Sequence, residues 1–506
     1  NTWSLLALNV LIGNMNYTGG MHVNGGKYAD FGPGPRYDFT KFDGMVQPKG
    51  IMIGRAKRPY ESSTEYKERK ARGENPYPAS RPWYPFAGGQ ATEMLISALN
   101  ADPYPLKAWI SNMTNPVYGI TGFRQLLLEK LADPKVLPLF IAIDAFINET
   151  TAMADYIVPD THNFESWGFG GAWAGVPFKT STARWPIVEP RVEKDAAGKP
   201  ISMESFFIAV SKKMGLPGFG ENAIKDYEGK NYPVNTAEDF YLKAAANMAF
   251  DGSPVPESTR EELELTGVKR IKGAIESVWK PQWQVRVACV VARGGRFADY
   301  ETGWDGDQMV KKWTPTLQLW NEKVGVHRHF ANGERYSGAP TYHPPRFADG
   351  SSVFERFPKE EWPLSLTSFK SNIVSSTSGS TLRLRMIKPT NFVAISDVDA
   401  KKFNIENGDM VRIESPNGAQ EAQIMVLDGV KPGVLAIEHG YGRRDVGARS
   451  HVVDGKAMDF STHVGSGLNL NDLAISDPSR PIPAPWLDWV TGAAVRQGIP
   501  ARIVKI

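Results

Sequence analysis

One stretch, Ile110–Pro159 with the strand leading into it, limits the possible folds more than any other. A strand-like segment, Leu106–Ile110, runs into a polar loop, Ser111-Asn112-Met113-Thr114-Asn115-Pro116. A helical segment follows at about 122–131. Then comes Leu139–Ile143, apolar at every position and ending in Asp144. A strand covered on both faces shows no polar side, so this unbroken apolar run predicts a buried parallel strand. Two such strands joined through a helix make half of a doubly wound α/β unit. Open α/β sheets take their ligands beyond the carboxyl ends of the strands. Asn112, Asn115 and Asp144 stand at those ends and are candidate nucleotide contacts.

The usual phosphate fingerprints are missing. Neither GxGxxG nor GxxxxGK(S/T) follows a strand here, which argues against an ordinary NAD site and a P-loop. Asn115-Pro116 stands after the first strand. Asp144-x-Phe146-x-x-Glu149-Thr150-Thr151 stands after the second and leads to Asp155-Tyr-Ile-Val-Pro159. Upstream, Leu5–Ile12 reads as an apolar helix closed by Gly13-Asn14, with a turn at Gly19-Gly20. Gly or Asn past a helix end accepts a left-handed backbone.

The last 145 residues change character. A strand from Trp362 runs into a polar loop reaching Asn372. Asn391–Gly418 and Gln420–Leu427 alternate apolar and polar residues, and Asn407-Gly408 and Asn417-Gly418 are expected to be tight hairpin turns. Pro432–Gly440 is a further strand ending in a loop. Together these segments predict a small closed β-barrel.

These three regions resemble the molybdenum bis-pterin oxidoreductases of the dimethyl-sulfoxide-reductase family. The resemblance implies an α/β fold. Its doubly wound parallel-sheet domain, of the formate dehydrogenase/DMSO reductase type, is followed by a double-psi β-barrel that caps the pterins. It divides the chain into 1–30, the tail of a domain completed upstream, 31–360, the α/β domain, and 361–506, the barrel. Irregular insertions are expected at Lys57–Trp83 and Lys194–Pro256, both rich in Pro, Gly and charge, the second carrying an amphipathic helix at Ser205–Gly215.

The implied cofactor is molybdenum bis(molybdopterin guanine dinucleotide). Its contacts carry over to Asn112, Asn115, Asp144 and Asn148 in the α/β domain; Asn148 stands where relatives often have Thr. In the barrel they carry over to Ser368, Lys370, His439, Tyr441, Asn471 and Asp472. Each of these residue types also favours turns on its own account. No catalytic metal ligand is expected within the chain. In the family a Cys, Sec, Ser or Asp upstream of the Gly-Asn passage ligates molybdenum, and a Cys-rich segment holds a 4Fe-4S cluster. The chain opens on Asn-Thr-Trp and is expected to be a carboxyl-terminal piece that is inactive alone.

Within the family the passages Glu165–Pro190, Val291–Glu301 and Leu319–Glu322 resemble the tetrathionate-reducing branch. That likeness implies two-electron cleavage of a sulfur–sulfur bond. Arsenate, polysulfide and thiosulfate reductases share the general frame, and a non-catalytic structural subunit of a respiratory complex is the alternative from another class. A dianionic substrate calls for a cationic funnel. Lys370 replaces an Arg of related sulfur reductases and is the leading substrate-binding candidate. Arg184, in the Ala-Arg-Trp turn, is the second unless it stacks on Trp185. The resemblance also implies twin-arginine export and a periplasmic, membrane-associated location. Its implied partners are a ferredoxin-like iron–sulfur subunit together with a quinol-oxidising membrane subunit.

Composition excludes several classes. Net charge is +3, and the basic stretch Lys67–Arg72 is interleaved and flanked by Glu65, Glu68 and Glu74, so it reads as a solvated face rather than a nucleic-acid patch. No apolar run approaches the ~18 residues a membrane helix needs. The single cysteine, Cys289, lies in an apolar run, Val285–Val291, expected to be a buried strand. One thiol cannot ligate an iron–sulfur cluster. His327 and His329 share a face at strand spacing, but no third metal ligand lies near them in sequence.

Overall fold

The computed structural model describes residues 2–47, 53, 55, 58–86, 91–122, 124–171, 175–196, 198–278, 280–312, 319–375, 378–379, 381–445, 447–459, 462–480 and 484–506. Cα packing divides the chain into two interleaved units. One joins Asn1–Lys49 to Val158–Gln318, and the other joins Gly50–Ile157 to Leu319–Ile506.

The first unit is organised around the helix Ala237–Phe250. Thr236 and Asp239 close a reciprocal capping box at its start, and Leu242, Ala245, Ala246, Met248 and Ala249 are fully buried. Its Asn247 acts as a pin. Nδ2 donates to the carbonyls of Asp30 (2.8 Å) and Tyr37 (2.9 Å), and Oδ1 accepts from the N–H of Arg36 (3.0 Å) and Tyr37 (2.8 Å). Gly34 must be glycine there, because a Cβ would come within 2.1 Å of the Asn247 amide. Three antiparallel sheets complete the unit among the described residues: Tyr37–Asp38 with Gly220–Asp226 and Asn231–Val234, Gly168–Gly171 with Thr180–Arg184 and Gly295–Phe297, and the short pair Trp304–Asp305 with Gln308–Met309.

Two expectations are corrected in this unit. Lys194–Pro256 is not an irregular insertion: besides the helix expected at Ser205–Gly215, found at Met203–Lys213, it supplies the helix Ala237–Phe250 and much of the core. Val285–Val291 is not a strand but the second half of the helix Pro281–Ala292. Pro281 presets the first helical φ, and Trp283, Val287, Val290 and Val291 recur at helical spacing on the buried side. A short β-branched run reads the same for either element, and only packing decides between them. Cys289 is buried, as expected, and desolvation raises its pKa. The amino-terminal helix Thr2–Leu11 forms as expected and closes with Gly13 at φ 72°.

In the second unit the strands Trp109–Asn112 and Phe140–Asp144 pair in parallel, Trp109 opposite Phe140 with their rings stacked at 4.4 Å. This is the parallel pair expected of the α/β domain. The first strand starts three residues later than expected and runs through Ser111, so that Asn112 is its last residue. The single-turn helix Pro116–Gly119 and the helix Arg124–Leu131 follow, and Leu127 and Leu131 pack with Leu95, Ile96 and Leu99.

The carboxyl-terminal region closes into the expected barrel. Around the ring the strands run Leu364–Phe369, Val434–Glu438, Val393–Ile395, Gly418–Val426, Met410–Ser415 and Gln497–Lys505, which returns to the first. Two neighbouring pairs are parallel, Leu364–Phe369 with Val434–Glu438 and Val393–Ile395 with Gly418–Val426. Leu364, Leu366, Val411, Ile413, Leu435 and Ile437 alternate into its core. Pro416-Asn417 makes the tight turn between Ser415 and Gly418. Asn407-Gly408 does not turn a hairpin: it joins the helix Asp397–Lys402 to Met410–Ser415, with Gly408 at φ 96° and Asn407 Oδ1 accepting from Val426 N–H at 3.0 Å. A turn dipeptide specifies a local backbone, not which strands it connects.

Among the described residues no helix is long and apolar enough to cross a membrane, and no group of His, Cys, Asp and Glu could hold a metal. His327 and His329 take separate roles. His327 Nδ1 lies 2.6 Å from the Lys323 carbonyl, whereas His329 stacks on Trp489 at 3.6 Å.

Candidate functional site

The polar residues after the two parallel strands build one hydrogen-bonded loop. Asp144 accepts from Phe146 N–H (3.1 Å) and from Asn148 Nδ2 (2.9 Å). Asn148, nearly buried, turns its Oδ1 to the N–H of Thr150 and Thr151, both at 3.0 Å. Asn115 is gripped at both ends of its amide. Nδ2 donates to Glu149 Oε2 at 2.5 Å, and Oδ1 accepts from Thr150 Oγ1 at 2.9 Å. Asn115 and Asn148 thus shape the loop, while Asn112 is exposed at the strand end and Asp144 is partly exposed beside it.

The same loop is fastened to the barrel. The Tyr118 hydroxyl donates to the Tyr441 carbonyl at 2.6 Å, and the Arg443 guanidinium lies 3.7 Å above the Tyr118 ring. Asn471 Nδ2 donates to the Tyr118 carbonyl (3.0 Å), and its Oδ1 accepts from Arg496 Nε (3.0 Å). Arg496 Nη2 in turn reaches the Gly119 carbonyl at 2.7 Å. A single-turn helix leaves its last carbonyls without intrahelical donors, and here barrel side chains supply them. Asp472 takes Arg124 at 3.3 Å and Arg444 at 3.1 Å. Burial raises the Asp472 carboxyl above its ordinary value, and Arg444 partly offsets this.

Tyr441 is fully buried, with Arg385 4.3 Å over its ring, and desolvation pushes its hydroxyl up to about 12. Its side chain therefore presents no surface. Asn115, Asn471, Asp472 and Tyr441 are brought together, but as the joint between loop and barrel. Glu149, Tyr118, Arg443, Arg444 and Arg496 belong to this joint and were not picked out from sequence. Glu149 alone carried a signal, within Asp144-x-Phe146-x-x-Glu149.

The accessible chemistry lies at the strand ends of the barrel. Parallel pairing sets Phe369 opposite Glu438, so Lys370 and His439 leave the sheet as neighbours. Ser368 is tied to Gln497, whose Nε2 donates to its carbonyl (3.0 Å) and hydroxyl (3.2 Å). Lys370 is exposed and makes no ion pair among the described residues. The His439 pKa is depressed by burial first and then by Lys370, Arg496 and Arg443, which favours the neutral imidazole. In the other unit Arg184 is committed to its own segment, donating to the Ser166 and Trp167 carbonyls at 3.4 and 3.3 Å and to Asn163 Oδ1 at 3.3 Å. It does not stack on Trp185, whose ring is covered by Arg270 at 5.2 Å.

Lys370, Lys388, Arg124, Arg385, Arg443, Arg444, Arg449 and Arg496 outnumber Asp144, Glu149, Glu438, Asp445 and Asp472 around these loops. Surplus positive charge next to exposed Asn112 and partly exposed Asp144 fits a nucleotide carrying a diphosphate.

Comparison with known proteins agrees. A family model described as the molydopterin dinucleotide binding domain matches residues 368–484. The whole chain is 53% identical to one tetrathionate reductase subunit of Salmonella typhimurium, covering 50% of that protein. It is 34% identical to the corresponding tetrathionate reductase subunit of Archaeoglobus fulgidus, over 88% of this chain and 41% of that one. One selenate reductase subunit of Mesobacillus selenatarsenatis is 32% identical, over 94% of this chain and 46% of that one. Among solved structures, acetylene hydratase from Pelobacter acetylenicus shares the fold, with a TM-score of 0.51 and 18% identity over 88% of this chain and 50% of that one. The chain spans about half the length of the curated relatives it matches. On these grounds the chain belongs to the molybdopterin oxidoreductase family.

Proposed function

We propose that the chain is the carboxyl-terminal, dinucleotide-holding part of a molybdenum bis-pterin respiratory reductase that splits tetrathionate into two thiosulfates. The observation that carries the reading is 53% identity along the whole chain to a tetrathionate reductase subunit. When bound, the molybdenum bis-pterin group supplies the two electrons that cleave the central sulfur–sulfur bond. The residues of this chain bind and orient. Asn112 and Asp144 hold the guanine or ribose end from the strand termini. Ser368 and Lys370 close over the cofactor from the barrel, with His439 beside them. Lys370 compensates the charge of the dianionic substrate. Splitting tetrathionate into two thiosulfates takes up no net proton, and a neutral His439 beside a charged Lys370 suits that balance.

In this reading the metal ligand and a 4Fe-4S cluster come from polypeptide outside residues 1–506, and the chain alone is inactive. The whole enzyme works in the periplasm, docked through a ferredoxin-like iron–sulfur subunit to a quinol-oxidising membrane subunit. The test has two stages. The intact enzyme is first analysed for molybdenum and pterin per chain. It is then assayed with a reduced dye against tetrathionate, selenate, arsenate, polysulfide and thiosulfate. Bound cofactor with a preference for tetrathionate supports the proposal. Bound cofactor with a preference for another acceptor reassigns the substrate, and absence of both metal and pterin makes the protein a structural subunit.

A further inference from the structure

We infer that Glu149 is a positioning residue that sets the spacing between two ligand loops, the one carrying Asn115 and the one carrying Arg443–Asp445, and that only a carboxylate can do this. The inference rests on reading the site as dinucleotide-holding. Every hydrogen-bond and ion-pair partner of Glu149 is a donor. Asn115 Nδ2 stands at 2.5 Å from Oε2; the N–H groups of Arg444 and Asp445 stand at 2.8 and 3.3 Å from Oε1; and Arg443 Nη1 lies at 3.8 Å. The Glu149 side chain is only 3% exposed, so water cannot replace a lost partner.

The consequences follow from the inventory of side-chain groups. An ionised carboxylate offers acceptor sites on both oxygens, whereas an amide of the same shape turns an NH2 group toward at least one donor. Glutamine would therefore fit the volume and fail the chemistry. The contacts join segments 34 and 295 residues apart in the chain. They also fix what each segment presents. Asn115 is completed by Thr150, Arg443 lies on Tyr118, and Arg444 is aimed at Asp472. Removing the shared acceptor frees the Arg443–Asp445 backbone relative to the strand-end loop. The cationic side chains and Asp144 then no longer keep a common spacing for one ligand.

The experiment uses the intact enzyme with its native cofactor content and the variants Glu149→Gln and Glu149→Asp. Molybdenum and guanine nucleotide retained per chain after extended dialysis are measured, with amide hydrogen exchange at Arg444 and Asp445. Glu149→Gln is expected to retain at least about tenfold less nucleotide, a charged hydrogen bond being lost from a buried site. The two amides should exchange faster while the far-ultraviolet circular dichroism stays unchanged. Glu149→Asp keeps the acceptor but draws it back by one methylene, about 1.5 Å, and should show an intermediate loss, restoring part of what Gln removes. If Glu149→Gln fails to fold, the Asp variant decides alone: reduced retention in a folded protein supports the inference. Retention equal to wild type in either folded variant overturns it, as does equal loss in both with global unfolding. Wild-type enzyme without molybdenum or nucleotide would instead defeat the functional reading itself.

Discussion

Lys370 and His439 are neighbours because Phe369 and Glu438 are paired across parallel strands, and the His439 N–H still reaches back to the Phe369 carbonyl at 3.0 Å. The pairing sets an exposed cation beside an imidazole whose pKa lies below its ordinary value through burial and then through Lys370. Substituting Lys370 by Gln should raise the KM for tetrathionate about tenfold with kcat per molybdenum little changed, the loss of one charge-assisted contact. The His439 pKa should move upward, as read from its imidazole proton shifts. An unchanged KM would remove Lys370 from substrate binding.

Asn471 and Asp144 should separate when each is replaced. Asn471→Ala strips a donor from the Tyr118 carbonyl and an acceptor from the half-buried Arg496, and should cost about 2–3 kcal/mol in chemical denaturation. Asp144→Asn keeps an acceptor for Phe146 N–H but loses the one for Asn148 Nδ2 at a partly exposed site, and should cost about 1 kcal/mol while cofactor retention falls. Equal stability losses would mean that both residues serve only the loop.

Tyr118→Phe removes one hydroxyl from the joint and leaves the Tyr441 carbonyl without that donor, while the ring stays under Arg443. A loss of about 1–2 kcal/mol is expected, measured by urea unfolding. A neutral substitution would show that the stacked guanidinium alone holds the loop.

His329 makes the fold acid-sensitive. It is buried, stacked flat on Trp489, and desolvation followed by Arg346 lowers its pKa to about 3. Between the unfolded value near 6.5 and that folded value the unfolded state binds the extra proton. Stability is therefore whole above about pH 6.5 and falls as pH drops, by up to about 1.4 kcal/mol per unit. His329→Phe keeps the stack and should flatten the slope of stability against pH between 6.5 and 4 by close to one proton. An unchanged slope would assign the acid response to other groups.

Where the chain's local pattern settled the outcome, the reading held. The apolar run Leu139–Ile143 could hardly be anything but a buried parallel strand, and the alternation along Met410–Ser415 and Gly418–Val426 fitted one face of a barrel wall. Where the local signal was shared by two structures, only packing chose. Val285–Val291 became helix because the Ala237–Phe250 helix and its neighbours bury one helical side of it. Lys194–Pro256 looked loose from its Pro, Gly and charge, yet it builds the first unit's core, because composition does not register that its apolar residues fall at helical and strand spacing.

The candidate site divides in the same way. That Asn112, Asn115 and Asp144 stand at strand ends, and that Lys370 and His439 end barrel strands, is a property of the sequence, since strand length and chain order dictate it. What each polar side chain does there was decided only in three dimensions. Asn115 and Asn471, expected ligand contacts, hold Glu149, Thr150, Tyr118 and Arg496 as well. Arg184 spends its donors on nearby carbonyls. Hydrogen-bonding capacity is finite, and buried donors and acceptors must be paired. Partners lying hundreds of residues away therefore determine which polar groups remain to meet a ligand, and no local stretch of sequence records that.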